Sequence, residues 1–334
     1  MEKRKPSLTE VAEAAGVSKM TASRVMRNSG RFSEETRIRV MREAARLNYV
    51  PDRLAAAFAS EATSTLVGVL VPRLSGGLFG QAVESIDDTL TRFGYQTLIG
   101  TYENRADQEE TWLRSVLAWR PAGLILTGRA HSEETTAILK SATIPLVEIW
   151  DLNTRPLDIS VGINHFDCGH EMGRLFVSQG RQRIGYAGAE STAPGLGRLR
   201  FEGFQQALQD AGTGLASAEF LDDRPSFYQG FYGAQTLLSR RPDLDSIYFQ
   251  NDEMAVGGIA YCRAAGLAVP DDIGIAGWGG MEVAVVLERQ LTTTKFSVRG
   301  LGKTAAEALV SRIRGEPVRD VNEIRAQLKR GQTL

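Results

Sequence analysis

The chain has 334 residues, 43% of them hydrophobic, with only two cysteines and a formal net charge of -1. That length holds two or three domains with sizeable cores, and the absence of any run near 18 uninterrupted apolar residues or of an apolar leader in MEKRKPSLTE argues against membrane insertion and secretion, so a cytoplasmic protein with reduced thiols is expected. The small net charge hides an asymmetry: residues 1 to 60 hold 12 Lys and Arg against 7 Asp and Glu, while the other 274 residues hold 27 against 33, the pattern of a polyanion-binding head on a body with another task.

In chain order, Leu8, Val11, Ala12 and Ala15 fall at helical spacing, and Ser7 with Glu10 forms a capping box ahead of them. Gly16 ends this helix where a left-handed residue is cheap, and Ser18 caps a second one through Ala22, Val25 and Met26. The second helix is short and cationic, with Lys19, Met20, Ser23 and Arg24 outward. Two helices and a tight turn of this form make a helix-turn-helix, whose second helix enters the major groove, hydroxyls and helix N-terminal amides on phosphates and longer side chains on base edges. A third helix starts after Ser33 with an apolar stripe of Ile38, Met41 and Ala45, and Pro51 stops it. The alanine-rich RLAAAFAS (53 to 60) favours helix by propensity, but it is too short to be stable alone in water, where roughly 12 to 15 residues are needed.

From residue 65 short apolar runs alternate with helical segments: 66 to 71, 95 to 100, 122 to 127 and 145 to 149, then 183 to 188, 245 to 250 and 272 to 277. The helical segment from Phe79 to Phe93 buries Phe79, Val83, Ile86 and Leu90. Repeated strand and helix means parallel sheets with right-handed crossovers, and so many units imply an α/β fold of two doubly wound lobes with a ligand held between them. Three motifs fall short of chemistry. GLGKT at 300 to 304 has Ser297 where a phosphate-binding loop needs Gly, and is expected to open a helix through Ala305 to Arg314; GLGRLR at 195 to 200 has Arg200 in place of the third glycine of a dinucleotide fingerprint; and HFDCGH at 165 to 170 lacks a second ligand cluster for zinc. With no nucleophile and base pair and no spaced carboxylate pair, neither catalysis, a cofactor nor a metal is expected.

TEVAEAAGVSKMTASRVMRN resembles the DNA-binding headpiece of the lactose/galactose repressor family, whose pattern is V-A-x-x-A-G-V-S-x-x-T-V-S-R-V-x-N, and the resemblance continues through NYVPDRLAAAF and along the core. Ala22 departs from the usual Val and would thin the packing between the first two helices. The KMT triplet, LTGRAH and PLVEIWD are similar to the branch that represses gluconate and idonate use. The resemblance implies a three-helix headpiece over residues 1 to 51 and a hinge and linker over 52 to 64. It also implies a two-lobed periplasmic-binding-protein-like core over 65 to 334, with an N-lobe of about 65 to 163 and 296 to 325 and a C-lobe of about 164 to 295. It implies DNA contacts at Ser18, Lys19, Met20, Thr21, Ser23 and Arg24, and in the hinge at Arg53, Ala55 and Phe58. There Ala55 would lie on the minor-groove floor, and Phe58 would either wedge between base pairs or pack on the core.

By the same resemblance the effector cleft is lined by Leu78, Phe79, Thr127, Glu148, Trp150, Asn164, Arg200, Asn251 and Trp278. Trp150 and Trp278 have the alternative of being core, Glu148 of satisfying a backbone amide, and His131 that of a plain exposed loop residue; Asp252 is expected only to cap the helix after it. Where the family has a sugar-gripping Asp, this chain has Gly279 and Gly280. A missing carboxylate beside a retained Arg points to an anionic sugar acid such as gluconate, 6-phosphogluconate or a ketogluconate. The expectation is therefore a homodimeric repressor on a palindromic operator, released by that effector, and without a tetramerising leucine heptad at its end. A transporter's sugar receptor and a sugar-acid enzyme are the competing classes; residues 1 to 60 argue against the receptor.

Overall fold

A computed structural model describes residues 6–26, 30–50, 64–75, 77–152, 155–190, 196–222 and 226–334. It divides into two compact units, Met1–Ser64 and Thr65–Leu334. In the first, α1 (Leu8–Ala14), α2 (Lys19–Met26) and α3 (Glu34–Arg46) enclose a small core of Val11, Ala12, Ala15, Ala22, Val25, Val40 and Ala44. The face that α3 buries differs from the sequence expectation. Val40 and Ala44 turn inward with Leu47 against them, while Ile38 is 56% and Met41 45% exposed and Ala45 also faces solvent. Both stripes have helical spacing, and only the position of α1 and α2 chooses between them. Nor does Pro51 end this helix: Leu47 is its C-cap and Asn48, at φ 51°, turns the chain away.

In the second unit each lobe is a six-stranded sheet between two pairs of helices. The N-lobe uses β1 (Leu66–Val71), α4 (Gly77–Arg92), β2 (Gln96–Thr101), α5 (Ala106–Ala118), β3 (Gly123–Thr127), α6 (Glu133–Ala142), β4 (Leu146–Asp151) and β5 (Ile159–Ile163). The C-lobe follows with α7 (His165–Ser178), β6 (Ile184–Glu190), α8 (Leu196–Asp210), β7 (Leu215–Asp222), α9 (Phe227–Arg240), β8 (Ser246–Phe249), α10 (Asp252–Ala264), β9 (Gly274–Gly279), α11 (Val283–Val286) and β10 (Thr292–Lys295). Then α12 (Val298–Ile313) returns to pack on α4, β11 (Val321–Glu323) joins the N-lobe, and β12 (Gln327–Lys329) joins the C-lobe. The sheet orders are β11-β5-β4-β3-β1-β2 and β12-β10-β9-β8-β6-β7, parallel throughout except for β12.

These strands are apolar and continuous because helices cover both faces: β1, β3, β4 and β5 are almost wholly buried. The chain crosses between lobes three times, after β5, after β10 and after β11. The last crossing returns residues 327 to 334 to the C-lobe, where Thr333 exchanges backbone and hydroxyl hydrogen bonds with Ile275. GLGKT lies in the opening turns of the expected helix, which starts two residues earlier. Ser297 caps α12 by accepting the Gly300 N–H. No helix among the described residues is long and apolar enough to cross a membrane.

Candidate effector cleft and nucleic-acid interface

The headpiece surface follows from its caps. Ser7 Oγ accepts the Glu10 N–H while Glu10 Oε2 accepts the Ser7 N–H at 2.6 Å, the reciprocal capping box. Gly16 takes φ 63°, and Val17 donates to the Ala12 carbonyl at 3.0 Å, closing α1. Ser18 Oγ then accepts the Thr21 N–H at 3.1 Å, so α2 restarts two residues beyond the turn. Ala22 and Val25 are buried, which leaves Ser18, Lys19, Met20 and Arg24 exposed on the opposite face, with Thr21 and Ser23 half-buried beside them. Met20 is 63% exposed, an apolar side chain that no other described residue of the headpiece covers. Arg53, Ala55 and Phe58 lie outside the described residues.

Where the lobes meet, an aromatic chain runs through the buried core, so that Trp150 and Trp278 take the core position that was their alternative. Phe79 meets Trp150 edge-on at 4.8 Å, Trp150 meets Phe296 at 5.7 Å, and Phe296 leans on Trp278 at 5.2 Å. Trp150, the last but one residue of β4, takes φ 83°, a left-handed conformation that costs a non-glycine residue on the order of 1 to 3 kcal/mol. Its indole N–H is buried and has no hydrogen-bond partner among the described residues. The lobes also touch at two glycines: a Cβ on Gly279 would lie 3.1 Å from Leu78, and one on Gly77 3.1 Å from Met281. Gly279 at φ 128° and Gly280 at φ 62° are conformations that an L side chain rarely adopts, so this turn presents backbone and no side chain.

Arg200, in the first turns of α8, lies with its guanidinium 3.8 Å above the Trp278 ring. Its Nη1 donates to His165 Nδ1 at 2.9 Å and its Nη2 to the Gln250 carbonyl at 3.1 Å. Since Nδ1 accepts, the imidazole proton sits on Nε2 and is donated to the Trp150 carbonyl at 3.2 Å, which joins the lobes through one neutral ring. Burial, reinforced by the Arg200 charge, holds the His165 pKa well below the usual histidine value, as that tautomer requires. Sequence reasoning gave this histidine to a rejected metal motif. It also missed Gly169: a Cβ there would stand 1.9 Å from the Arg200 carbonyl oxygen, and one on Gly203 2.0 Å from that of Phe166. These glycines let α7 and α8 approach backbone to backbone and seat Arg200.

Other residues proposed for the cleft have their polar atoms engaged elsewhere. Thr127 donates to the Leu70 carbonyl at 3.0 Å. Asn164 caps α7 and Asn251 caps α10, each by accepting an N–H of its own first turn. Glu148 is buried on the α5 side of the sheet, where it accepts the Leu157 N–H at 2.8 Å and faces His131 Nε2 at 3.8 Å. His131 is no exposed loop residue: its side chain is 3% exposed and its Nδ1 lies 2.7 Å from Glu109.

Asp252 is not a helix cap either. Its carboxylate is wholly buried, accepts the Thr293 hydroxyl at 2.6 Å and the Met281 N–H at 2.7 Å, and so pins α10 and the Gly279–Met281 turn to the crossing strand β10. Burial raises its pKa to about 6. The folded state therefore holds a proton between pH 4 and 6 that the unfolded chain has released, and this group's contribution to stability falls as pH rises through that window, by roughly 3 kcal/mol. The depressed His165 acts with opposite sign in the same range. Asp252→Asn is expected to gain on the wild type in melting temperature as pH rises from 4 to 6.5, which paired thermal melts at each pH measure; parallel curves would refute it.

The description "Periplasmic binding proteins and sugar binding domain of LacI family" matches residues 64–331, and "Bacterial regulatory proteins, lacI family" matches residues 7–52. The chain is 34% identical over 318 residues to the HTH-type transcriptional regulator GntR of Escherichia coli K12, with 95% of each chain covered. It is 30% identical over 334 residues to the regulator IdnR of the same strain, with 98% of each covered. The crystal structure of a LacI family transcriptional regulator from Silicibacter pomeroyi superposes with a TM-score of 0.92 at 36% identity, covering 98% of this chain and 99% of that one. The lac repressor dimer bound to operator and the anti-inducer ONPF superposes at 0.86 and 26% identity, with 99% of each covered. A capped helix-turn-helix and a two-lobed core, matched end to end in this way, place the chain in the LacI family of DNA-binding transcriptional repressors.

Proposed function

We propose that this repressor governs genes of sugar-acid catabolism, binding a palindromic operator as a homodimer through α2 and the hinge residues Arg53, Ala55 and Phe58, and leaving it when a gluconate-type anion enters the cleft. The observation that carries the ligand class is the pairing of a buried guanidinium, Arg200 on the Trp278 face, with a side-chain-free turn at Gly279–Gly280. A guanidinium suits a carboxylate or phosphate, and a carboxylate in the turn would repel one. The Trp150 N–H, without a hydrogen-bond partner among the described residues, offers a donor for a ligand oxygen, and the names of the GntR and IdnR relatives agree with this class. Self-association is supported by apolar side chains left in water: Leu98 and Ile99 on the β2 edge, and Tyr228, Tyr232, Val285 and Val286 on the C-lobe.

The switch is a change in lobe rotation. A ligand touching Phe79 and Trp150 on one side and Trp278 and Arg200 on the other favours one separation of the lobes, and the resulting coupling to DNA is typically worth about 1 to 3 kcal/mol per effector. We place the headpiece at residues 1 to 51, the hinge at 52 to 64 and the core from 65 onward, in a cytoplasmic, non-enzymatic protein. Titration of promoter duplexes at several salt concentrations, with and without gluconate, 6-phosphogluconate, 2-ketogluconate and ribose, tests this. Salt-sensitive preference for one duplex, weakened by a sugar acid, is the expected result; no preference over random DNA, or tight binding of ribose alone, overturns it.

A further inference from the structure

Arg129 stands two residues beyond β3 in the N-lobe. Its Nε pairs with Asp151 Oδ2 at 2.7 Å, and that carboxylate is 5% exposed while the arginine side chain is 39% exposed. Among the described residues Asp151 is its one ion-pair partner, and the contact is made through Nε. Asp151 is the residue after Trp150, whose indole is in the aromatic chain and whose carbonyl accepts from His165. His165 is in turn hydrogen-bonded by Arg200. Arg129 leaves the C-terminal end of β3 and its partner Asp151 closes β4 beside Trp150, so the pair stands at the strand ends from which the N-lobe side of the seam is built; its charge adds to the lowering of the His165 pKa.

The segment that carries Arg129 is fixed from behind. His131, two residues on, is buried against Glu109 of α5 and Glu148 of β4, and Ser132 caps α6 by accepting the Thr135 N–H at 3.0 Å. A surface arginine rarely has such a mounting; exposed ion pairs ordinarily hold neither partner in place.

We infer that Arg129 is the N-lobe contact for the effector's anionic group, closing on it opposite Arg200, and that His131 is a positioning residue for the segment that carries it. This rests on the sugar-acid reading above. It explains how an anion bound at Arg200 would pull the lobes together, since the second cation belongs to the other lobe. Asp151 then serves as the counter-ion that holds Arg129 while the site is empty.

Calorimetric titration of the full-length protein with gluconate, and with the neutral hexitol glucitol as control, tests it in four variants. Arg129→Ala is expected to weaken gluconate at least tenfold, with unchanged melting temperature and unchanged affinity for the operator fragment without ligand. Arg129→Lys should recover part of the loss, and Asp151→Asn should bind gluconate as well as or better than the wild type. His131→Gln should reduce gluconate affinity while leaving any glucitol binding as it was. If Arg129→Ala stays within twofold while Arg200→Ala loses binding, Arg129 is no ligand contact although the sugar-acid reading stands. If Arg129→Ala and Asp151→Asn weaken gluconate equally, the pair is a structural lock and the inference fails. If the wild type binds no sugar acid, the reading and the inference fall together.

Discussion

Arg200→Ala is expected to weaken sugar-acid binding by about 100-fold or more, leaving a repressor that holds its operator and no longer responds. The size follows from what the guanidinium does at once: it lies on Trp278, donates to His165 and donates to Gln250. Truncation removes the cationic partner of the ligand, and the loss of one buried charged pair costs binding about 2 to 5 kcal/mol. The fold is also affected, since His165 Nδ1 and the Gln250 carbonyl lose their donor inside the protein, roughly 1 to 3 kcal/mol for each group left unsatisfied. Thermal melts therefore accompany the titration, and affinity is compared well below the variant's transition. Arg200→Lys separates charge from shape: an ammonium has no planar fork to serve His165 and Gln250 together while covering an indole face. It is expected to recover little. Gluconate binding within twofold of wild type in Arg200→Ala would remove this side chain from the site.

How far the sequence carried the structure depends on how local each determinant is. The helix-turn-helix was legible because its signals sit within a few residues of one another: Ser7 with Glu10, Gly16 at positive φ, Ser18 with Thr21. The parallel sheets were legible because strands covered on both faces become apolar runs. Strand β10, TTTK, was not, since its threonines take their place from pairing with β9 and β12 rather than from any pattern of their own. Edge strand β7 and the three-residue β11 and β12 failed for similar reasons. In α3 two apolar stripes competed, and the wrong one was chosen because nothing local distinguishes Val40 and Ala44 from Ile38 and Met41.

In the cleft, residue types were legible and their partners were not. Arg200, Trp150 and Trp278 gather where the lobes meet. The cap of α10 is Asn251 rather than Asp252, because which of two adjacent side chains caps a helix depends on what the other meets, here Thr293 and Met281. His131 reads as a loop histidine until α5 and β4 bring Glu109 and Glu148 to it. Burial of that kind is a property of the assembled fold.

Gly169→Ala tests the packing on which the Arg200 geometry depends, and its expected effect is large for a single methyl group. The added Cβ would stand 1.9 Å from the Arg200 carbonyl oxygen, and an oxygen of the backbone cannot rotate aside as a side-chain end can. One helix must retreat by on the order of 1 Å or more, opening the apolar contact beneath it, where Met172 and Phe176 of α7 pack with Phe204 of α8. A destabilisation of about 3 to 5 kcal/mol is expected in denaturant melts, at the upper end of overpacking because backbone meets backbone. Molecules that remain folded should bind gluconate at least tenfold more weakly, since the displaced residue is Arg200 itself. Gly214→Ala, with no atom within 4 Å of its Cβ, is the control and should stay within about 0.5 kcal/mol of wild type. Gly203→Ala meets the same crossing from the other helix, 2.0 Å from the Phe166 carbonyl. If one close approach holds both glycines in register, the double variant should cost less than the sum of the two singles, because separating the helices once relieves both collisions. Strict additivity would mean that the two sites yield independently, and the backbone contact would then not be what seats the arginine.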